Sequence, residues 1–360
     1  MSGTRTFWGL LALGVACLLT AGCDGGKGAA AQAGGDAGKG AGGAKAAEVV
    51  VGEFRVSGPY EHGNLAVFLL HGKDRVAAAD FLTLKEAMEQ KLVVVHETGN
   101  VNELSVENQS KDRAVYIQYG DIVKGGKQDR TIQYDLVLSP NSGKVALPSF
   151  CVEQGRWRAR GSESVAAFQS SDNALATKEL KMAAAKSGDQ GTVWAKVAET
   201  QDKLSANAGQ KVNAPESQSS LQLALENKKV KEEIAAYTKA LASLPEGKAD
   251  VVGFAFAVNG KISSVDTYAA GTLFRKLWPK LLEAAATEAF AERKAGAVAG
   301  APAPAEIAKF MAEVEKAAAA EKDVSKRSKT ATRENAAAVM IESQDKDQKG
   351  EWIHKSYLAK

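Results

Sequence analysis

The strongest constraint on the fold is residues 49–152, where apolar side chains alternate with polar ones or form short runs. From Ile132 to Leu138 every second residue is apolar, which predicts a half-buried strand over Arg130–Leu138. This stretch holds 7 of the 64 alanines of the chain, whereas the longer part that follows it holds 45. Bulky core side chains are therefore concentrated here, and we expect a largely antiparallel sheet.

Beyond residue 152 the apolar residues recur every three or four positions, for example from Val230 to Leu241, which predicts helices. A strand–turn–strand pattern around Asn259 and Gly260 interrupts them, because Asn-Gly suits a tight type I′ turn. An alanine-rich helix over Ile307–Lys322 and two final strands follow. The expected fold class is α+β, with a largely antiparallel β-sheet core and segregated helices.

The N-terminus resembles a bacterial lipoprotein signal. Phe7–Leu19 is an uncharged segment of 13 residues; as a helix it would span about 20 Å, short of the roughly 30 Å hydrocarbon core of a bilayer. It ends in LTAGC, similar to a lipobox in which Cys23 receives the lipid. Of the 23 residues 25–47, 18 are Gly or Ala, so we expect a flexible tether. An uncleaved anchor and ordinary signal cleavage are the alternatives.

This signal predicts a location and a partner. Acylated Cys23 would bind membrane lipid and hold the protein at the extracytoplasmic face of a cell membrane, inner or outer. The expected organisation has five parts: signal peptide 1–22, lipidated Cys and tether 23–48, α+β domain 49–294, linker 295–305, and a C-terminal helix and hairpin 306–360 that packs on the domain.

Composition excludes several classes of function. The formal net charge of +3 is small for a nucleic-acid binder, so no nucleic-acid partner is expected. Three Cys and four His offer few metal ligands, and we predict no metal site and no cofactor. Paired-carboxylate, HExxH, GxSxG and CxxC patterns are absent. Spacing does not single out a catalytic histidine among the four, His62, His71, His96 and His354.

The densest polar cluster is GDIVKGGKQDR, residues 120–130, between two predicted strands. Its paired glycines let backbone N–H groups turn toward a ligand, and Lys124, Lys127 and Arg130 add positive charge, so the loop suits phosphate or carboxylate. It lacks the Lys-Ser/Thr ending of a P-loop. A solvated hairpin tip is the alternative interpretation.

A second cluster, PSFCVEQGRWR at 148–158, follows a further strand. Arg156 offers a planar fork to an anion and Trp157 a face for stacking, while Glu153 could pair with Arg156. A strand end with a structural ion pair is the alternative. Cys151 lies in an apolar run and is interpreted as a small core residue.

Together with DQGTVW at 189–194, these clusters resemble the ARPP-1 domain, the ARG and rhodanese-phosphatase-superfamily-associated protein domain, where ARG is ADP-ribosylglycohydrolase. The resemblance extends from about residue 49 to 290 and resumes in the last strands. The family motif usually reads closer to GAKQNR, so Gly126 and Asp129 differ from it. The matching residues are Gln128, Arg130, Cys151, Glu153, Gly155, Arg156, Trp157, Gln190 and Trp194. The resemblance implies no particular reaction, and only the family's association suggests an ADP-ribosyl or nucleotide-like ligand.

Three functions follow from these observations. The leading one is a membrane-tethered extracytoplasmic binding module for an anionic, phosphate- or nucleotide-like small molecule, held by Lys127, Gln128, Arg130, Arg156 and Trp157. The second is a hydrolase of ADP-ribosyl or related phosphosugar substrates, with Glu153 or Asp121 as general base. It requires Glu153 and Arg130 to line one water-accessible pocket. The third is a structural envelope protein whose motifs brace the sheet. The sequence does not determine the oligomeric state.

Overall fold

The computed structural model describes residues 49–76, 81–156, 168–171, 175–296 and 300–360. They belong to one compact unit, Lys45–Lys360. The predicted signal peptide, Cys23 and the whole predicted tether lie outside the described residues, as does Trp157. Their assignments stay predictions.

The bounds of the elements are as follows. The strands are β1 Val49–Val51, β2 Phe54–His62, β3 Leu65–His71, β4 Leu82–Thr83, β5 Val93–Asn100, β6 Glu103–Asn108, β7 Val115–Ile117, β8 Ile122–Gly125, β9 Arg130–Ile132, β10 Leu136–Leu138, β11 Lys144–Cys151, β12 Phe168–Ser170, β13 Val251–Val258, β14 Lys261–Tyr268, β15 Ala319–Asp323, β16 Ser328–Glu334, β17 Ala338–Asp345 and β18 Trp352–Ala359. The helices are α1 Leu84–Glu89, α2 Lys178–Met182, α3 Gln190–Ala208, α4 Leu221–Glu226, α5 Lys228–Leu241, α6 Gly271–Ala291 and α7 Pro304–Glu315.

Antiparallel pairing dominates the strands. In the part of the chain that the structure describes, a nine-stranded sheet has the order β1-β2-β3-β13-β14-β18-β17-β16-β15, and a six-stranded sheet has the order β12-β8-β9-β11-β6-β5. A third, small sheet contains β10, β7 and β4, of which β4 and β7 are parallel. The predicted α+β class with a largely antiparallel core is confirmed.

Helix α6 packs on the nine-stranded sheet through aromatic side chains. Phe254 of β13 lies edge-on to Trp278, with ring centroids 5.5 Å apart, and 6.4 Å from the ring of Phe274. Such aromatic pairs add to the free energy gained by burying apolar surface. Pro279 lies inside α6, and because proline has no N–H, the carbonyl of Arg275 loses its helical donor. Within the described residues, no helix is long and apolar enough to cross a membrane.

A buried polar network joins residues 118–135 to the nine-stranded sheet. His354 of β18 contacts Asp135 through Nδ1 at 2.8 Å and Asp266 through Nε2 at 3.0 Å. Tyr119 donates to Ser356 Oγ at 2.5 Å. Carboxylates only accept, so both ring nitrogens of His354 carry protons and the ring is an imidazolium. This cation holds two buried carboxylates from different parts of the fold.

The C-terminal helix is shorter than the sequence predicts. Helix α7 ends at Glu315, and the following alanines enter β15, Ala319–Asp323, instead of extending the helix to Lys322. Every residue of β15 is exposed, and its backbone pairs with β16 at the edge of the sheet. Strand hydrogen bonds therefore outweigh the helix propensity of alanine here.

Candidate functional site

The two motif clusters meet at one end of the six-stranded sheet. Strands β8 and β9 pair around the turn of residues 126–129, and β11 pairs with β9 so that Cys151 lies opposite Arg130. Gly126 has φ +56°, and a Cβ there would lie 2.1 Å from Phe168 Cζ. The first departure from the family motif therefore has a steric reason, because an alanine would collide with this ring.

Arg156 is the centre of a buried ionic cluster that contains Asp129, Glu153, Arg130 and Glu97. Its Nε donates to Glu153 Oε2 at 2.7 Å, and its Nη2 lies 3.5 Å from Asp129 Oδ1. The same guanidinium donates to the carbonyls of the two motif glycines at 3.3 Å. Asp129, the second departure from the family motif, thus supplies a negative charge to the guanidinium that an amide would lack.

Arg130 lies beside this pair and is fully buried. Its Nη2 is 3.6 Å from Glu97 Oε1, and its Nη1 donates to the carbonyl of Gln128 at 3.3 Å. Among the described residues, Nε of Arg130 has no hydrogen-bond partner. Gln128 is also buried and donates to the carbonyl of Glu153 at 2.8 Å. Gln128 and Arg130 were both predicted to bind a ligand, and in the structure they hydrogen-bond to each other.

The charges of this ionic cluster do not favour an anion. It contains three carboxylates (Glu97, Asp129 and Glu153) and two guanidinium groups, all with side chains at most 9% exposed. Among the described residues of the cluster the carboxylates outnumber the guanidinium groups, so these side chains alone would not attract a phosphate. Glu153 and Arg130 are each fully buried, so they do not line a water-accessible pocket in this structure. The geometry is that of a brace between β8, β9 and the end of β11.

Other predicted residues lie at the margin of the ionic cluster. Lys127 is partly buried, and its backbone N–H donates to Glu97 Oε2 at 3.2 Å. Arg156 also borders a polar cavity of about 440 Å³, whose other walls are Gln154, Gly155 and residues 215–219. Ser220, at the start of α4, donates to Asp129 Oδ2 at 3.4 Å. The sequence analysis did not identify Ser220 or Glu97, since neither lies in a motif.

The third motif, residues 189–194, hydrogen-bonds to the second motif, residues 148–158, through Gln190. Asp189 caps α3 by accepting from the backbone of Thr192 at 2.7 Å. The side-chain amide of Gln190 bonds both the N–H and the carbonyl of Cys151 at 2.8 Å. Burial raises the pKa of the Cys151 thiol to about 11, although the charge of Arg130 opposes this. The thiol stays protonated at neutral pH, which agrees with a core residue.

Asp121, the other carboxylate predicted as a base, lies apart from the ionic cluster. It pairs with Lys280 of α6 at 2.8 Å, and both residues border a cavity of about 240 Å³ between α1 and α6. Lys280 also donates to Ser170 Oγ at 3.2 Å. The sequence analysis missed Lys280, because an apolar helix pattern gives no sign of a buried lysine.

A larger groove lies between α5, α6 and the loop that joins α5 to β13. Its volume is about 1010 Å³, larger than that of the two cavities described above. Apolar side chains form most of its surface, and five charged residues border it. Its lining residues are Lys231, Ile234, Ala235, Thr238, Ala242, Pro245, Glu246, Gly247, Lys248, Ala249, Arg275, Trp278, Pro279, Leu282 and Glu283. We call it the α5–α6 groove.

The fold and the ionic cluster define an α+β domain whose motif residues brace its six-stranded sheet. The chain matches the model of the ARG and Rhodanese-Phosphatase-superfamily-associated Protein domain, ARPP-1, over residues 53–358. The match covers most of the 360 residues, so the protein belongs to the ARPP-1 family. No curated protein and no solved structure matches the chain.

Proposed function

We propose that the protein is a membrane-tethered extracytoplasmic binding module whose ligand lies in the α5–α6 groove. The observation that carries the proposal is the groove itself, about 1010 Å³ in volume with a mostly apolar surface and charged borders. Binding sites for small molecules are typically concave and apolar, with a few polar groups that orient the ligand. The ionic cluster then acts as a brace rather than as the ligand site.

The borders of the groove favour an anionic group on the ligand. Lys231, Lys248 and Arg275 outnumber Glu246 and Glu283 there. Lys248 Nζ donates to the carbonyl of Leu244 at 2.5 Å, and Arg275 Nη1 donates to that of Ala249 at 3.3 Å. These bonds hold the cations at the border while leaving donors for a ligand.

The surface of the groove favours an apolar body on the same ligand. Ile234, Trp278 and Leu282 form buried parts of it, and small side chains such as Ala235 and Ala242 keep it open. The ligand class that combines these features is an amphiphile with an apolar chain or ring and a phosphate or carboxylate group.

Isothermal titration with lysophosphatidic acid tests this proposal. We expect binding that Lys231→Glu weakens at least about tenfold, because it reverses one border charge. Ala235→Trp should abolish binding by filling the groove, whereas Lys239→Glu, on α5 outside the groove, should leave it unchanged. The absence of binding to any anionic amphiphile would refute the proposal, as would binding that survives Ala235→Trp. Parallel titrations with ADP-ribose and inorganic phosphate examine the nucleotide-like alternative.

The predicted lipid anchor at Cys23 is tested by a separate experiment. Cys23→Ser should move the protein from the membrane fraction to the soluble fraction, because the acyl chains that hold it would be absent. Immunoblotting of fractionated cells measures this, and Cys17→Ser, inside the predicted signal peptide, is the matched control. If the Cys23→Ser protein stays with the membrane, the lipid anchor is not what holds it there.

A further inference from the structure

Ser57, His71 and Asp250 form a hydrogen-bonded series that neither the motifs nor the groove includes. Ser57 Oγ lies 2.8 Å from His71 Nε2, and His71 Nδ1 lies 3.1 Å from Asp250 Oδ1. The groups follow one another in the order Ser57 hydroxyl, His71 Nε2, His71 Nδ1 and Asp250 carboxylate. Serine hydrolases of unrelated folds share this order and these distances.

Strand pairing fixes the three side chains. Ser57 of β2 pairs with Leu69 of β3, and His71 is two residues further along β3, so its side chain lies on the same face as that of Ser57. Asp250 directly precedes β13, and its carbonyl accepts from the N–H of Gly72 at 2.8 Å. The register of β2 shifts directly after Ser57, and bulges of this kind re-aim side chains next to active sites.

The hydrogen bond to Asp250 defines the tautomer of a neutral His71 ring. A carboxylate only accepts hydrogen bonds, so in the neutral ring Nδ1 carries the proton and Nε2 accepts from the Ser57 hydroxyl. Burial alone would raise the pKa of Asp250, but the hydrogen bond from His71 and the nearby charge of Arg55 lower it. Asp250 is therefore ionised at neutral pH and orients the imidazole.

The series lies just below the surface. The residues Ser57 and His71 are 6% and 7% exposed, whereas the Asp250 side chain is 50% exposed. Leu69 and Phe254 are paired neighbours on the sheet face that carries Ser57, and both are buried and apolar. Helix α6 covers this face at Phe254. A substrate would therefore reach Ser57 from the side of the half-exposed Asp250 and place its acyl group next to the apolar side chain of Leu69.

We propose that Ser57 is a nucleophile for carboxylic esters with an apolar acyl group, with His71 as its general base and Asp250 as a positioning residue. This activity goes beyond the binding role of the α5–α6 groove and does not depend on it. Ser57 Oγ bonds to the ester carbonyl carbon as its proton moves to His71 Nε2. The carbon–oxygen bond of the ester then breaks, and the leaving alcohol takes that proton. Water adds to the acyl-serine by the same route and releases the carboxylic acid.

Labelling with a fluorophosphonate probe and hydrolysis of p-nitrophenyl butyrate test this activity. We expect mass spectrometry to locate the adduct on Ser57, and we expect Ser57→Ala to lose both labelling and hydrolysis. Ser243→Ala, in the exposed turn after α5, is the matched control and should keep both. Labelling that is absent from the wild-type protein, or that falls on another residue, would overturn the proposal. Adduct mapping on the wild-type chain distinguishes these outcomes even if Ser57→Ala does not fold.

Asp250→Asn tests the positioning role. Asp250 is half exposed, so the variant should fold, and hydrolysis should fall at least about 100-fold because the imidazole loses its orienting charge. Asp250→Glu, which keeps the carboxylate, should recover part of the rate that Asp250→Asn loses. An unchanged rate in Asp250→Asn, or no recovery in Asp250→Glu, would remove Asp250 from the mechanism. Titration of the groove ligand into Ser57→Ala keeps this test separate from that of the binding function.

Discussion

Replacing Arg156 by methionine should lower the free energy of unfolding by about 3–5 kcal/mol, because it removes the guanidinium that contacts two buried carboxylates. The side chains of Glu153 and Asp129 are fully buried, and Arg156 contacts them at 2.7 and 3.5 Å. Arg156→Lys should recover part of the loss, since an ammonium group keeps the charge but cannot reach the same carboxylates and glycine carbonyls together. Urea unfolding followed by circular dichroism measures these differences.

A surface ion pair provides the control for this prediction. Lys229 contacts Glu233 at 2.8 Å on α5 and its side chain is 43% exposed, so Lys229→Met should lower the free energy of unfolding much less than Arg156→Met. If Arg156→Met lowers the free energy of unfolding no more than this control does, the ionic cluster is not the buried brace described above. Suppose that Arg156→Met abolishes phosphate binding while the protein stays folded. Arg156 then belongs to an anion site, in agreement with its planar guanidinium and with the polar cavity that it borders.

Stability should fall as the pH rises from about 4.5 to 9, because two buried groups bind protons more tightly in the folded state. Burial alone lowers the pKa of His354, but Asp135 and Asp266 outweigh it and raise the pKa from 6.5 to about 9. The stabilisation from His354 is thus complete below pH 6.5 and is lost as the pH rises through 9. A pKa difference of this size corresponds to about 3 kcal/mol.

Glu288 affects stability in a lower pH range than His354 does. Burial, with the nearby charge of Glu179, raises its pKa from 4.5 to about 7, so its contribution is complete below pH 4.5 and is lost as the pH rises through 7. Glu288→Gln should therefore remove the fall in stability that Glu288 causes as the pH rises to 7. The fall between pH 6.5 and 9, which His354 causes, should remain. Urea unfolding at half-unit pH intervals measures both. A wild-type stability that is flat from pH 6.5 to 9 would contradict the assignment of His354 as a buried imidazolium.

Local sequence patterns predicted the strands well but not the sheets to which they belong. The alternation from Arg130 to Leu138 predicted one strand, whereas the structure has two, β9 in the six-stranded sheet and β10 in the small sheet. The break falls at Asp135, which accepts from the N–H of Tyr119 at 2.7 Å and contacts His354. A partner more than 200 residues away sets this break, so period-two alternation could not reveal it.

The candidate sites show the same limit. The sequence assigned residues of both motif clusters to one site, and the pairing of β9 with β11 does bring the two clusters together. It identified the cations of the loop but not Glu97, which lies on β5 and neutralises Arg130. Ser57 and His71 each follow an ordinary strand pattern, and only the register of β2 against β3 brings them within hydrogen-bond distance.

The position of β18 has a consequence for when the fold can form. It lies between β14 and β17 inside the nine-stranded sheet, although it is the last of the described strands to be synthesised. Until Trp352–Ala359 emerges, β14 and the strands β15–β17 have no common neighbour, and His354 cannot neutralise Asp135 and Asp266. The large sheet therefore cannot be completed before residues 352–359 have been synthesised.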